Sequence, residues 1–175
     1  GAKNSVLKLM AAAILAKGES KIYNVPELTD VEIMLNVIAQ LGAKTSYSKE
    51  EKALTIDATD ITNVTASYEL VSKMRASFIV LGALVSRCKE ARVALPGGCA
   101  IGETRVDFHI RGLEALGAKI KIENGYVHAK ANKLIGSDVY LDIPSVGATE
   151  NIMLASVLAE GSTKIQNAAQ EPEIV

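Results

Sequence analysis

Residues 95–105 read Leu-Pro-Gly-Gly-Cys-Ala-Ile-Gly-Glu-Thr-Arg, a nucleophile set in a glycine-rich loop. An unpaired cysteine usually serves as a small buried hydrophobe, and Cys99 gains nothing in that role among glycines. The glycines instead supply exposure and main-chain N–H groups that approach an anion closely. A helix is expected to begin near Arg105, and its positive end together with the arginine would stabilise a Cys99 thiolate. The second cysteine, Cys88 in "LVSRCKE", falls late in an apolar helix and reads as packing.

Other polar groups collect where loops enter helices. "GAKN" at 1–4 precedes an apolar helix, so free N–H groups and Lys3 suit a phosphate or carboxylate; an ordinary helix start with a solvated lysine gives the same pattern. Arg75, in "KMRAS", is expected just inside a long apolar helix, where it either snorkels outward or points into a cleft. "IPSVGAT" at 143–149 sets Ser145 and Gly147 before a further helix, as an anion loop or a plain cap. Asp107 and His109 fall at the start of the helix after the cysteine loop, able to accept hydrogen bonds from a ligand or to complement the helix dipole. His128 lies in a hairpin strand and is given no role. Two cysteines and two histidines lack metal-ligand spacing, so no metal site is expected.

The elements that position these groups follow from an internal repeat. "LGAK" occurs at 41–44 and at 116–119, an offset of 75, each time after apolar residues at helical spacing and before an alternating run. Each predicts a helix stopped by Gly42 or Gly117 and leading into a strand. "LMAAAILAKGESKIYN" at 9–24 matches "IMLASVLAEGSTKIQN" at 152–167, and "FIVLGALVSRCKEARVAL" plays the same part between them. The unit is helix, strand, helix, strand, turn, strand. Asn124-Gly125 marks a tight hairpin, and "TSYSKEEKALTID" is its looser counterpart. Thr29 to Glu32 has the spacing of a capping box for the second helix. Two complete units, about 1–71 and 72–144, and a truncated third, 145–175, are expected within one domain.

Because "LMAAAILA" and "IMLASVLA" are apolar nearly all round, such helices need cover on every side and should lie centrally. The fold class is therefore α/β, with sheets wrapped around buried helices and solvent on their outer faces. The crossover rule favours parallel pairing wherever a helix joins two strands of one sheet.

Composition narrows the functional classes. The 175 residues are 49% hydrophobic but only 4% aromatic, with no Trp. Lys and Arg total 19 against 20 Asp and Glu, so no overall field favours nucleic acid or an acidic membrane, and any anion site is local. Apolar stretches are too short to span a bilayer and no signal sequence opens the chain. Free cysteines fit a reducing compartment, and the expected location is cytoplasmic. The chain opens at Gly1 and closes at Val175 without polar tails, which reads as a fragment or excised domain.

Taken in order, "GAKN", "ELVSKMRAS", "LPGGCAIG" before "VDFH", "GLEALGA", "PSVGATENIM" and "NAAQEPEIV" resemble the UDP-N-acetylglucosamine 1-carboxyvinyltransferase family of enolpyruvyl transferases across essentially the whole chain. The resemblance implies an inside-out fold of two domains, each of three such units, of which this chain covers most of one. It implies transfer of the enolpyruvyl group of phosphoenolpyruvate to the 3'-hydroxyl of UDP-N-acetylglucosamine in peptidoglycan precursor synthesis. Cys99 would be the general acid, and the thiol able to carry a covalent adduct. Lys3, Asn4, Cys99 and Arg105 would meet phosphoenolpyruvate. Asn4, Arg75, Thr104, Arg105, Val106, Asp107, Phe108, Ser145, Val146 and Gly147 would meet the sugar nucleotide. No cofactor is implied; the second domain would supply an aspartate base and further arginines, leaving this chain inactive alone. One departure stands out: the family has Arg-Pro before Val-Asp, whereas Thr104-Arg105 shifts the arginine by one position, about 100° on a helix. The alternatives are the shikimate-pathway enolpyruvyl transferase, which has no need of the "PGGC" loop, and a non-catalytic repeat module with at most weak sugar-nucleotide binding.

Overall fold

In a computed structural model, residues 1–96 and 106–175 are described. The chain opens with α1 (Lys3–Ala13), β1 (Glu19–Ile22), α2 (Thr29–Gln40), β2 (Lys44–Ser48) and β3 (Ala53–Asp57). A short link carries β4 (Thr65–Ala66), α3 (Tyr68–Val71) and a 3-10 turn at Arg75–Ile79. The order of the opening then recurs as α4 (Val80–Cys88), β5 (Glu90–Ala94), α5 (Asp107–Ala115), β6 (Lys119–Glu123) and β7 (Tyr126–Lys130). β8 (Asp138–Tyr140), α6 (Val146–Ser156) and β9 (Lys164–Gln166) follow.

Apolar spacing explains the helices and glycine ends two of them. α2 and α5 stop at Gly42 and Gly117, which take φ of 104° and 99°. Asn124 and Gly125 both have positive φ, as the tight β6–β7 turn requires. The capping box is not formed: Thr29 is already helical, Leu28 holds the cap position, and no side chain satisfies the first N–H groups of α2. Leu28 reaches the extended cap conformation first, so Thr29 lies inside the turn it was expected to cap.

Among the described residues, three sheets have the orders β1-β3-β2, β4-β5-β7-β6 and β8-β9. Adjacent parallel pairing holds for β4 with β5 and for β8 with β9. It fails for the strands joined by α2 and α5. There the hairpin strand returns into the gap, so β3 lies antiparallel between β1 and β2, and β7 between β5 and β6. The joined strands still run in the same direction, with one strand separating them. The tight hairpins dictate this, because a short turn brings its strand back beside its predecessor. Each later sheet also draws a strand from upstream: Thr65–Ala66 pairs in the second, and Asp138–Tyr140 in the third.

The helices fill the interior. Residues 80–86 of α4 are all buried, and α6 buries Ala148–Ile152, Leu154 and Ala155. Each fully buried leucine among them, such as Leu81 or Leu84, contributes about 2 kcal/mol. Gly82 lets α4 lie against α6, since a Cβ there would collide with the Asn151 carbonyl oxygen. The Ser86 hydroxyl closes the same contact by donating to the Ala155 carbonyl at 2.9 Å. Charged residues such as Lys44, Lys119 and Lys121 line the outer faces of the sheets. Cover on α1 and α6 is incomplete: Leu9 is 53% and Met153 40% exposed, so the "LMAAAILA" and "IMLASVLA" helices each keep one open side. Among the described residues, no helix is long and apolar enough to cross a membrane.

Candidate active site

α1, α5 and α6 begin around one cavity of about 460 Å³, and the 3-10 turn that leads into α4 completes its wall. Asn4 comes from the first turn of α1, Arg75 and Phe78 from the 3-10 turn that leads into α4, and Ser145, Val146 and Gly147 from the start of α6. The first turn of α5 adds Val106, Phe108 and His109. Helix N-termini carry unsatisfied N–H groups and a partial positive charge, so their convergence makes a near-neutral chain locally attractive to anions. Arg75 adds a full positive charge. It opens a 3-10 turn and is exposed toward the cavity, where the sequence placed it inside a long helix; Met74 before it is extended, and this delays the helix.

The rim residues differ in how they are held. Asn4 has no side-chain capping neighbour, since Ala2 holds the cap position of α1. Lys3, just outside the cavity lining, is ion-paired with Asp30 at 2.9 Å; both groups are partly exposed, so the pair is weak and able to exchange for a ligand. Ser145 caps α6 by accepting from the Ala148 N–H across a long 3.4 Å, and the Thr149 hydroxyl donates to the Ser145 carbonyl at 2.8 Å. The plain capping reading of "IPSVGAT" therefore describes what Ser145 does here, while Val146 and Gly147 stay open to the cavity. Asp107 is exposed on the first turn of α5 and does not line the cavity. Cys99, Thr104 and Arg105 lie outside the described residues, as does the expected start of the helix near Arg105; α5 itself begins at Asp107.

Several lining groups went unread in the sequence. Lys8 sits one turn beyond Asn4 on the same face of α1, and Glu150 one turn beyond Gly147 on α6. That three-to-four-residue spacing was the available signal. Lys8 Nζ lies 2.7 Å from Glu150 Oε1 and 2.6 Å from Glu173 Oε1, tying the two helices to the C-terminal turn. Burial pushes the Glu150 carboxyl up, against the pull of Lys8. For Lys8 burial works downward, but the two carboxylates outweigh it and hold the ammonium above its ordinary range. His109 is held beside this network: its ring meets Phe78 edge-on at 5.2 Å, and Asn151 Nδ2 lies 2.8 Å from its Nδ1. Burial first, then the Arg75 charge, lowers the imidazole to about 4, with Asp107 opposing. Away from the site, Cys88 ends α4 half-buried against the core, and burial raises its thiol despite Arg87 and Lys89.

Known proteins share this architecture. The chain is 55% identical over all 175 residues to UDP-N-acetylglucosamine 1-carboxyvinyltransferase 2 of Carboxydothermus hydrogenoformans, and 54% identical over 177 aligned positions to UDP-N-acetylglucosamine 1-carboxyvinyltransferase 1 of Staphylococcus aureus. It spans 41% and 42% of the length of those two relatives. Among solved structures, the enolpyruvyl transferase NikO from Streptomyces tendae superposes with a TM-score of 0.86 at 22% identity, over 99% of this chain and 41% of that one. EPSP synthase from Acinetobacter baumannii gives 0.75 at 18% identity, over 99% and 40%. The α/β fold with buried helices is thus that of the enolpyruvyl transferases. The family model described as EPSP synthase (3-phosphoshikimate 1-carboxyvinyltransferase) matches residues 1–175, and the chain belongs to that family.

Proposed function

We propose that this chain forms part of an enzyme that moves the enolpyruvyl group of phosphoenolpyruvate to the 3'-hydroxyl of UDP-N-acetylglucosamine, a step toward peptidoglycan in the cytoplasm. The observation that carries the reading is the convergence of Asn4, Arg75 and the Ser145–Gly147 turn at one cavity ringed by helix N-termini, where two phosphorylated substrates would find their counter-charge. Identity of 54–55% to carboxyvinyltransferases acting on UDP-N-acetylglucosamine supports this substrate over 3-phosphoshikimate, since the EPSP synthase structures share only 18%.

In this reading the sugar hydroxyl adds to C2 of phosphoenolpyruvate while Cys99 delivers a proton to C3. The tetrahedral adduct then loses a C3 proton and expels phosphate, which restores the double bond as an enolpyruvyl ether. Lys3 and Asn4 hold the phosphoenolpyruvate, with Arg105 replacing the arginine expected one position earlier. Asn4, Arg75, Thr104, Arg105, Val106, Asp107, Phe108 and the Ser145–Gly147 turn hold the sugar nucleotide. Two repeat units, about 1–71 and 72–144, and a truncated third at 145–175 present these groups, and a second domain closes over the cavity to exclude water and bring the base. For that reason the 175 residues alone release no phosphate from the two substrates.

Fosfomycin tests the thiol. Its epoxide opens when a thiolate forms a thioether, and the freed oxygen takes up a proton. Peptide mapping after exposure is expected to find the adduct on Cys99, with Cys88 unlabelled because burial raises its thiol. Equal labelling of both cysteines, or none, removes Cys99 from the mechanism.

A further inference from the structure

His109 is the lining residue whose hydrogen-bonding role the surrounding structure specifies most completely. Asn151, buried in α6, is oriented from two sides: the Gly82 N–H donates to its Oδ1 at 2.6 Å, and its Nδ2 donates to the Phe78 carbonyl at 3.2 Å. An amide fixed in this sense turns its remaining Nδ2 hydrogen toward His109 Nδ1, 2.8 Å away. The Nδ1 must then accept, and a neutral ring with Nδ1 bare carries its proton on Nε2. That edge of the ring faces the start of α6. A Cβ on Gly147 would stand 3.2 Å from His109 Cε1 and 3.5 Å from Nε2, so glycine leaves the approach between ring and helix start open. His109, Gly147 and Arg75 line the same cavity.

We propose that His109 is a ligand-binding residue, its Nε2–H a fixed neutral donor to a phosphoryl oxygen held at the start of α6, with Asn151 as the positioning residue that sets its tautomer. The proposal rests on the sugar-nucleotide reading, since it takes the oxygen to belong to the diphosphate. A neutral donor suits this place: beside Arg75 a second cation would be repelled, and burial already keeps the imidazole uncharged down to about pH 4. A donor aimed in advance avoids the cost of ordering on binding.

The test uses the 15N-labelled protein and UDP as probe. Nitrogen shifts of His109 should show Nδ1 bare and Nε2 protonated; the reverse tautomer, or an imidazolium at pH 7, overturns the proposal. On titration with UDP, H109L should weaken binding roughly ten- to hundredfold, the scale of a hydrogen bond to a charged group, and H109Q, whose amide places an N–H near the lost Nε2, should recover most of it. Unchanged affinity in H109L overturns the proposal and leaves the sugar-nucleotide reading standing. Failure of the unsubstituted protein to bind UDP overturns both. Should H109L not fold, the nitrogen shifts and H109Q still decide the matter.

Discussion

The helices α1 and α6 share one repeated sequence pattern over 9–24 and 152–167, yet their starts are held differently. α6 is partly closed: the Ser145 hydroxyl accepts the Ala148 N–H, the Thr149 hydroxyl donates to the Ser145 carbonyl, and the Ala169 N–H donates to that Thr149 hydroxyl at 3.1 Å, which pins the turn in place. α1 has Ala2 at its cap position, with no side-chain cap and with exposed Lys3 and Asn4 at its tip. A start capped at one N–H keeps its place and still offers its Val146–Gly147 turn to a ligand, whereas one with no side-chain cap leaves its whole first turn to a ligand. Lys8 and Glu150 join the two helices one turn further in, so the open end is braced against the closed one.

The brace offers the largest way to break this arrangement. K8M strands Glu150, which is 7% exposed, and should cost about 3 kcal/mol of unfolding free energy in urea denaturation near pH 7. Burial already raises the Glu150 carboxyl, and loss of Lys8 raises it further above its unfolded value. The cost is therefore present above the folded pKa and fades as pH falls through it. An equal cost at pH 4 and pH 8 would mean that the ammonium acts through packing alone.

His109, packed against the closed end, should produce a second large effect. Its folded pKa of about 4 lies below the ordinary 6.5, so between those values the unfolded chain binds more protons and stability rises with pH. The gain from pH 4 to pH 6.5 is worth roughly 3 kcal/mol, and H109Q should flatten the slope. A profile unchanged by H109Q would place the titration elsewhere.

What the sequence disclosed and what it hid divide along local and non-local physics. The glycine stops after α2 and α5 and the Asn124-Gly125 turn were legible, because each depends on a few adjacent residues. The placement of β3 between β1 and β2 was not, since strand order is decided across the sheet. At the site, residues in loop-to-helix junctions such as Arg75 and Gly147 were visible as candidates from their types, and Asn4 from the family resemblance. Lys8, Glu150 and Asn151 were concealed inside helices, where their polar character is explained only by partners more than a hundred residues away or on a neighbouring helix. Lys3 was legible as a charge, but its Asp30 partner was not.

Smaller substitutions sharpen the contrast between the two ends. S145A removes a cap whose bond is long, so a loss of about 0.5 kcal/mol is expected, at the low end for such caps. A loss above about 2 kcal/mol would show the hydroxyl supporting more than the helix. The converse change is A2S. Ala2 has φ −82° and ψ 133°, the extended geometry from which a serine hydroxyl accepts a first-turn N–H. Stability should rise by roughly 0.5 kcal/mol, because an unsatisfied donor gains a partner. Binding should move the other way: if the open end of α1 is kept for phosphoenolpyruvate, an internal cap competes for the same N–H groups and weakens that ligand while leaving UDP affinity, set around α6, unchanged. A gain in stability with no loss of phosphoenolpyruvate binding would mean that Ala2 is merely a weak cap, and that the difference between the two helix starts carries no function.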